Sequence, residues 1–476
     1  MADEGGIDTI LEWPTLSEET QLLSDEMRSF LRSNPVAYAG HRIIANFVQV
    51  SDYDETTEHN EVPFLNWWFF SIALTGYWLL RRFLHVLGRN TTPSGFNGHI
   101  FVMNSDRHDK RYTLTAVSER LRDQDYDVLL LCSPEAQSYR ERWEDRGLST
   151  TSFVELLGAI PLRRWLSLFG TTIRLIRGLR GRDPDSFAAA SKTLVFNFVF
   201  LEAVKSESLL QTTNQPTIHT YAPMGYVLDV TDFDRVFSYQ HGIMYGQESE
   251  TGNQEYRRGY PFFAPINYLT WGEPWHNKFQ YSTPPDTELH PTGTPWHEFL
   301  NQYKTDSDRE HDVVFLSSAG RQTVEGEEAF ERFVRRLIDV CEQRNWQLGI
   351  KLHPKETGDW YAERGWAEYV LSSDSAIQDV LSNSRVAITT GSSTLVESML
   401  LGTPICKWFD QKSPIERKED LELVFDIRPE TIESTIEDAL ETAASDPDVA
   451  SVLNYKGVTD QIMEIVTRTD GEKPDG

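Results

Sequence analysis

A chain of 476 residues is too long for a single hydrophobic core of ordinary size, so two or three domains are expected. Its formal charge of −28, with only 12 lysines among 45 basic residues, excludes non-specific nucleic-acid binding and suits a protein kept soluble at high salt, as in a halophilic source. Cys132, Cys341 and Cys406 stand far apart in apolar contexts, which excludes a disulfide framework or a CxxC zinc site.

Residues 1–92 read as an N-terminal helical and apolar extension. The opening MADEGGIDTILEWP is acidic where a signal peptide needs a basic n-region, so a cytoplasmic start is expected. Residues 62–80, VPFLNWWFFSIALTGYWLL, are uncharged and run into Arg81-Arg82. Nineteen residues just reach across a bilayer, but Asn66, Thr75 and Gly76 weaken the stretch. A buried core helix, a helix lying on the membrane surface and a single span stay open.

From 93 to about 305 the pattern predicts a first Rossmann-like domain. HIFVMNSD is an apolar strand, a helix follows to about Arg122, and YDVLLLCS is a second strand. Continuous apolar strands alternating with helices indicate a parallel sheet covered on both faces. Residues 161–181 form a basic amphipathic helix: Leu162, Trp165, Leu166, Phe169, Ile173 and Ile176 share one face, while Arg163, Arg164, Arg174, Arg177 and Arg180 supply the charge. Such a helix reads either as a membrane-surface element or as an ordinary surface helix paired with acidic neighbours. A helical stretch over about 186–210 and the extended segments TIHTYAP and DRVFSYQ come next. The second segment leads to His241, an imidazole at a strand end and thus a candidate general base or a structural residue. Residues 245–299 read as a loop-rich lid or connection, with Thr292-Gly293-Thr294-Pro295 turning the chain near its end.

After the polar linker KTDSDREHD a second Rossmann-like domain is expected over 311–465, with a disordered tail at 466–476. VVFLSSAGR is a strand ending at Arg321, GEEAFERFVRRLIDVCEQRN is an amphipathic helix, and WQLGIKLHPKE is a strand ending at His353 and Lys355. VAITT then opens through Gly391-Ser392-Ser393-Thr394 into a helix that carries Glu397 and closes at Gly402-Thr403-Pro404. Free N–H groups at a helix start and small hydroxyls suit a phosphate, though Ser-Ser-Thr also serves as a plain cap. In a parallel sheet the three strand ends lie along one crevice, so Arg321, His353, Lys355 and Ser392–Thr394 could grip one diphosphate or nucleotide monophosphate. The chain has no DxD metal motif after a strand, Asp106 and Asp109 reading as solvated loop residues. It also lacks GxGxxG and GKS/T, which disfavours a dehydrogenase or an ATPase.

Gln240-His241-Gly242, Thr292-Gly293-Thr294-Pro295, the strand ending at Arg321, Lys351-Leu352-His353-Pro354, and Ser392-Ser393-Thr394 with Glu397 and Gly402-Thr403-Pro404 together resemble the GT-B-type transferases of capsular polysaccharide and wall-polymer synthesis. Bacterial polysialyltransferases and CDP-glycerol glycerophosphotransferases belong to this class. The resemblance covers about 236–410. It implies two facing Rossmann-like domains, with donor nucleotide and phosphate binding by His353, Ser392 and Ser393, and with His241 facing the acceptor. Thr390-Gly391 stand where the glycerophosphate branch carries Asp-Tyr, and the acidic motif of polysialyltransferases is absent.

The expected activity is an inverting, metal-independent glycosyltransferase. It would take a nucleotide-sugar as substrate, with no cofactor, and act on a glycan or lipid-linked glycan near the inner face of the cell membrane. Transfer of phosphoglycerol, another phosphoalcohol or sulfate, and a non-catalytic scaffold of a glycan-assembly complex, are the alternatives.

Overall fold

The computed structural model describes residues 98–103, 108–132, 139–152, 217–221, 235–240, 267–279, 288–303, 309–317, 327–353, 356–372, 375–389, 394–408, 424–442 and 453–468. The segments 62–80 and 161–181, read above as candidate membrane elements, lie outside them. Among the described residues no helix is long and apolar enough to cross a membrane.

The first sheet contains seven strands: β1 (His99–Met103), β2 (Val128–Cys132), β3 (Ser149–Ser152), β4 (Thr217–Tyr221), β5 (Val236–Tyr239), β6 (Asn267–Leu269) and β7 (Glu288–His290). Their order is β3-β2-β1-β4-β5-β6-β7, and every pairing is parallel. β1, β2, β4 and β5 are buried throughout, which is why they read as unbroken apolar runs rather than alternating ones. Helices α1 (His108–Asp123) and α2 (Arg140–Asp145) follow β1 and β2, and α3 (Glu273–Phe279) follows β6. The described part of residues 245–299, expected to be a loop-rich lid or connection, therefore contains two strands, a helix and the start of a further helix at Pro295. β6 and β7 are three residues each at the sheet's edge, too short for a period to show; β6 forms because β5 is there to pair with, and β7 pairs in turn with β6.

Helix α4 (Pro295–Gln302) leads to the second sheet, with Pro295 at its first turn after the extended N-cap Thr294. The second sheet is formed by β8 (His311–Leu316), β9 (Leu348–Lys351), β10 (Ser384–Thr389), β11 (Ile405–Trp408) and β12 (Val424–Ile427), ordered β12-β11-β10-β8-β9 and parallel throughout. Its helices are α5 (Glu327–Arg344), α6 (Asp359–Glu363), α7 (Ile377–Ser382), α8 (Thr394–Leu400) and α9 (Ile432–Thr442). The 3–4 spacing of Phe330, Phe333, Val334 and Leu337 lays one face of α5 on Val313, Phe315 and Ile350. Each of these fully buried side chains stabilises the domain by about 2 kcal/mol. Trp408 stacks on Phe333 with ring centroids 4.3 Å apart.

The last helix, α10 (Val458–Thr467), departs from the sequence division. The second domain was expected to run to 465 and a disordered tail to begin at 466. Instead Val458, Ile462, Met463 and Val466 sit in the core of the first domain with Phe101, Leu114, Val117 and Leu121. Arg235 fastens the helix by donating to the carbonyls of Val466 and Arg468. The apolar stripe of α10 needs a partner face, and α1 supplies it.

Candidate functional site

In the second sheet the chain leaves β8 for β9 on one side, then passes back over it to β10 on the other. This reversal makes a switch point between β8 and β10, where carboxyl ends diverge and leave a crevice. The strands expected to deliver anion-binding groups are thus neighbours, in the order β10, β8, β9. Of the residues named from sequence, His353, Thr394 and Glu397 are described; Arg321, Lys355, Ser392 and Ser393 lie outside the described residues, as does His241.

His353 stands two residues past β9 in a turn closed by Glu356. The Glu356 carboxylate accepts the backbone N–H of His353 (2.9 Å), and the Glu356 N–H returns to the His353 carbonyl (2.8 Å). The other carboxylate oxygen accepts the Ser317 hydroxyl at 2.9 Å. Ser317 itself receives the hydroxyl of Tyr361, a wholly buried side chain, at 2.8 Å. A single carboxylate therefore ties the end of β8 to the turn after β9 and fixes the direction in which His353 leaves the sheet. Sequence reading missed Glu356. The available signal was its position three residues after His353, the reciprocal spacing of a capping box.

Thr394 opens α8 and is part-buried. One turn on, Glu397 is buried at 8% exposure, and its Oε1 accepts the indole N–H of Trp296 from α4 at 2.9 Å. The helix closes as predicted at Gly402, whose φ of +71° is the left-handed conformation that glycine adopts without strain. The Gly402 carbonyl and that of Ser384 both accept from Arg309, and Ser398 donates to the Thr403 carbonyl, so the back of α8 is pinned independently of its front.

In the first sheet the corresponding reversal lies between β1 and β4. Tyr221 ends β4, its ring 5.6 Å from that of Tyr239 on β5, and the buried Lys110 of α1 places its ammonium 5.3 Å from the Tyr221 ring centre. Asp109, read as a solvated loop residue, belongs to the first turn of α1, where a carboxylate favours the helix dipole. Gln240, the last described residue before His241, is buried; its N–H bonds the Leu269 carbonyl and its Oε1 accepts the Trp271 N–H at 2.7 Å. The chain just before His241 is thereby clamped to the end of β6.

The Thr292-Gly293-Thr294-Pro295 turn has a packing reason for its glycine. Gly293 has φ +88°, and a Cβ there would come within 2.1 Å of the Asn454 carbonyl oxygen. Only glycine lets the segment before α10 lie against this turn. Among the described residues no cluster of three or more histidine, cysteine or acidic side chains could hold a metal ion.

Two parallel-sheet α/β domains, each with a switch point, joined by α4 and closed by a C-terminal helix that returns to the first domain, form a GT-B fold. The UDP-GlcNAc 2-epimerase of Methanocaldococcus jannaschii, solved with UDP-GlcNAc and UDP, aligns with a TM-score of 0.50 and 12% identity over 78% of this chain and 99% of its own. MurG of Acinetobacter baumannii aligns at 0.41 and 11% over 78% of this chain and 100% of its own. WaaG, a glycosyltransferase involved in lipopolysaccharide biosynthesis, gives 0.42 and 11% with the same coverage. At these identities the likeness is one of fold. No protein-family model and no curated protein sequence matches the chain.

Proposed function

We propose that the protein is a glycosyltransferase that moves a sugar from a nucleotide-sugar donor to a cell-surface glycan or a lipid-linked glycan. The observation that carries the reading is the buried carboxylate of Glu397, one turn into the helix that follows the switch-point strand β10, with His353 just past β9, two strands away in the same sheet. A carboxylate there suits ribose hydroxyls, which are donors, while imidazole and guanidinium suit phosphate. The binding of UDP-GlcNAc and UDP by a protein of the same fold supports it.

In this reading Glu397 holds the ribose, and Arg321, His353, Lys355 and the Ser392–Thr394 segment hold the diphosphate or monophosphate. They stabilise the negative charge that grows on the leaving oxygen. The acceptor hydroxyl attacks the anomeric carbon from the opposite face and inverts it. The bond to the phosphate oxygen breaks, that oxygen keeps the electron pair, and the hydroxyl proton passes to His241. The basic, amphipathic sequence pattern over 161–181 supports an acceptor met at the inner membrane surface.

A second reading, isomerisation of the nucleotide-sugar without transfer, draws on the epimerase among the structures of this fold. Incubation with UDP-, GDP-, CMP- and CDP-linked sugars, with and without a lipid-linked glycan, separates the two by product mass and by NMR of the sugar. Transfer predicts a glycan heavier by one sugar residue together with free nucleotide. A changed sugar without acceptor supports isomerisation, a phosphoglycerol or sulfate increment from the corresponding donors supports the other transferases, and turnover of none contradicts the proposal.

A further inference from the structure

We infer that Trp296 is a positioning residue for Glu397, so that the helix between the domains sets the carboxylate that grips the donor ribose. The inference rests on the nucleotide-sugar reading above and adds a residue 101 positions away in sequence. A glutamate side chain turns about three bonds, and a carboxylate at a helix start has several directions in which to find donors. Here one oxygen is held by an indole N–H, a group that can only donate.

The indole is itself held. Trp296 is 2% exposed, stacked on Phe299 with centroids 5.4 Å apart and met edge-on by His108 (5.5 Å) and Tyr112 (5.7 Å) of α1. Its N–H therefore has one direction, determined by the first domain. Helix α4 cannot easily slide to compensate. Thr294 Oγ1 is bonded to Thr113 Oγ1 at 2.8 Å, Glu298 accepts from Gly457 and Thr459 on the α10 side, and the Tyr303 hydroxyl donates to Asp379 of α7 at 2.9 Å. One short helix thus reaches both domains, and its tryptophan ends on the candidate ribose ligand. Repacking of α4 against α1 would turn the Glu397 carboxylate, and donor binding would be felt at α1.

The test measures affinity for UDP, GDP and CDP and for their 2′-deoxy counterparts by calorimetry, on wild type, Glu397→Gln, Trp296→Phe and the double variant, with inorganic pyrophosphate as a probe of the phosphate end. Phenylalanine keeps a ring in the aromatic cluster and removes the N–H. The wild type is expected to prefer the ribonucleotide. Glu397→Gln and Trp296→Phe should each reduce that preference about tenfold, the double variant should lose no more than Glu397→Gln alone, and pyrophosphate binding should stay the same in all four. If Glu397→Gln loses the preference and Trp296→Phe keeps it, the inference is overturned while the donor reading stands. If the wild type shows no preference, or Glu397→Gln retains it, the ribose role of Glu397 fails and the inference falls with it. Should Trp296→Phe not fold, Tyr112→Leu removes one wall of the indole instead. A reduced preference then supports the inference, and an unchanged one overturns it.

Discussion

His99, His219 and Tyr239 run in a buried line across β1, β4 and β5. His99 Nδ1 and His219 Nε2 share a hydrogen bond of 2.9 Å, and His219 Nδ1 and the Tyr239 hydroxyl share another of 2.9 Å. His219 lies flat on Phe101, centroids 4.1 Å apart, with no exposure. Burial holds the His219 imidazole far below the usual histidine range, and burial with the nearby Arg235 lowers His99 to about 4. Both rings are neutral in the folded protein at pH 7, whereas the unfolded chain takes up protons as pH falls through 6.5. Stability is therefore fully present above pH 6.5 and falls as the solution is acidified towards 4, His99 alone accounting for roughly 3 kcal/mol. Urea midpoints at pH 7 and pH 5 are expected to differ in that direction, and less so in His99→Gln. Midpoints that do not move with pH would count against the neutral buried pair. Such a line was not legible from sequence, because HIFVM and TIHTY show two histidines in separate strands 120 residues apart, and only the sheet order makes β1 and β4 neighbours. The helix start that carries Glu397 was legible because a helix start after an apolar strand announces itself locally. Its partner Trp296 was not, since nothing in GTPWHEF says which helix it will meet.

Among the elements, α4 joins the two halves of the molecule, and its contacts suggest how α10 is held. Gly457, at the start of α10, has no side chain to cap the helix and takes φ +62°. Glu298 of α4 supplies the missing acceptor. Its two oxygens receive the N–H groups of Gly457 (3.0 Å) and Thr459 (3.3 Å) and the Thr459 hydroxyl (3.0 Å). Glu298→Ala should cost about 1–2 kcal/mol, the scale of a lost N-cap. Hydrogen exchange should rise in α10 and leave α5 and α9 unchanged; equal protection in α10 would contradict the capping role. The long elements were readable because their periods are: α5 shows an amphipathic repeat over 18 residues, and β8 and β10 are apolar runs. β6, β7 and β12 were not, since these short strands are only partly buried, carry polar residues such as Asn267, Glu288 and Asp426, and take their structure from the neighbour they pair with. The helix α10 was not singled out, and nothing local in its sequence says which domain its apolar stripe packs on.

At the scale of the whole molecule, the chain crosses from the first domain to the second through α4 and returns through α10, so both crossings lie side by side and are tied by Glu298. Each sheet has its strand-order reversal near the middle; in the second sheet β10, which leads to Glu397, lies on one side of it, and β8 and β9, the latter leading to His353, lie on the other. As proposed above, this second crevice would hold a nucleotide by its ribose and phosphates. The most direct measurement is calorimetric titration of UDP, GDP and CDP into the wild-type protein and Glu397→Gln. Saturable one-to-one binding of at least one of them is expected, weakened about tenfold in the variant, a difference of about 1.4 kcal/mol. Binding of none of the three, or binding that Glu397→Gln leaves unchanged, would contradict it.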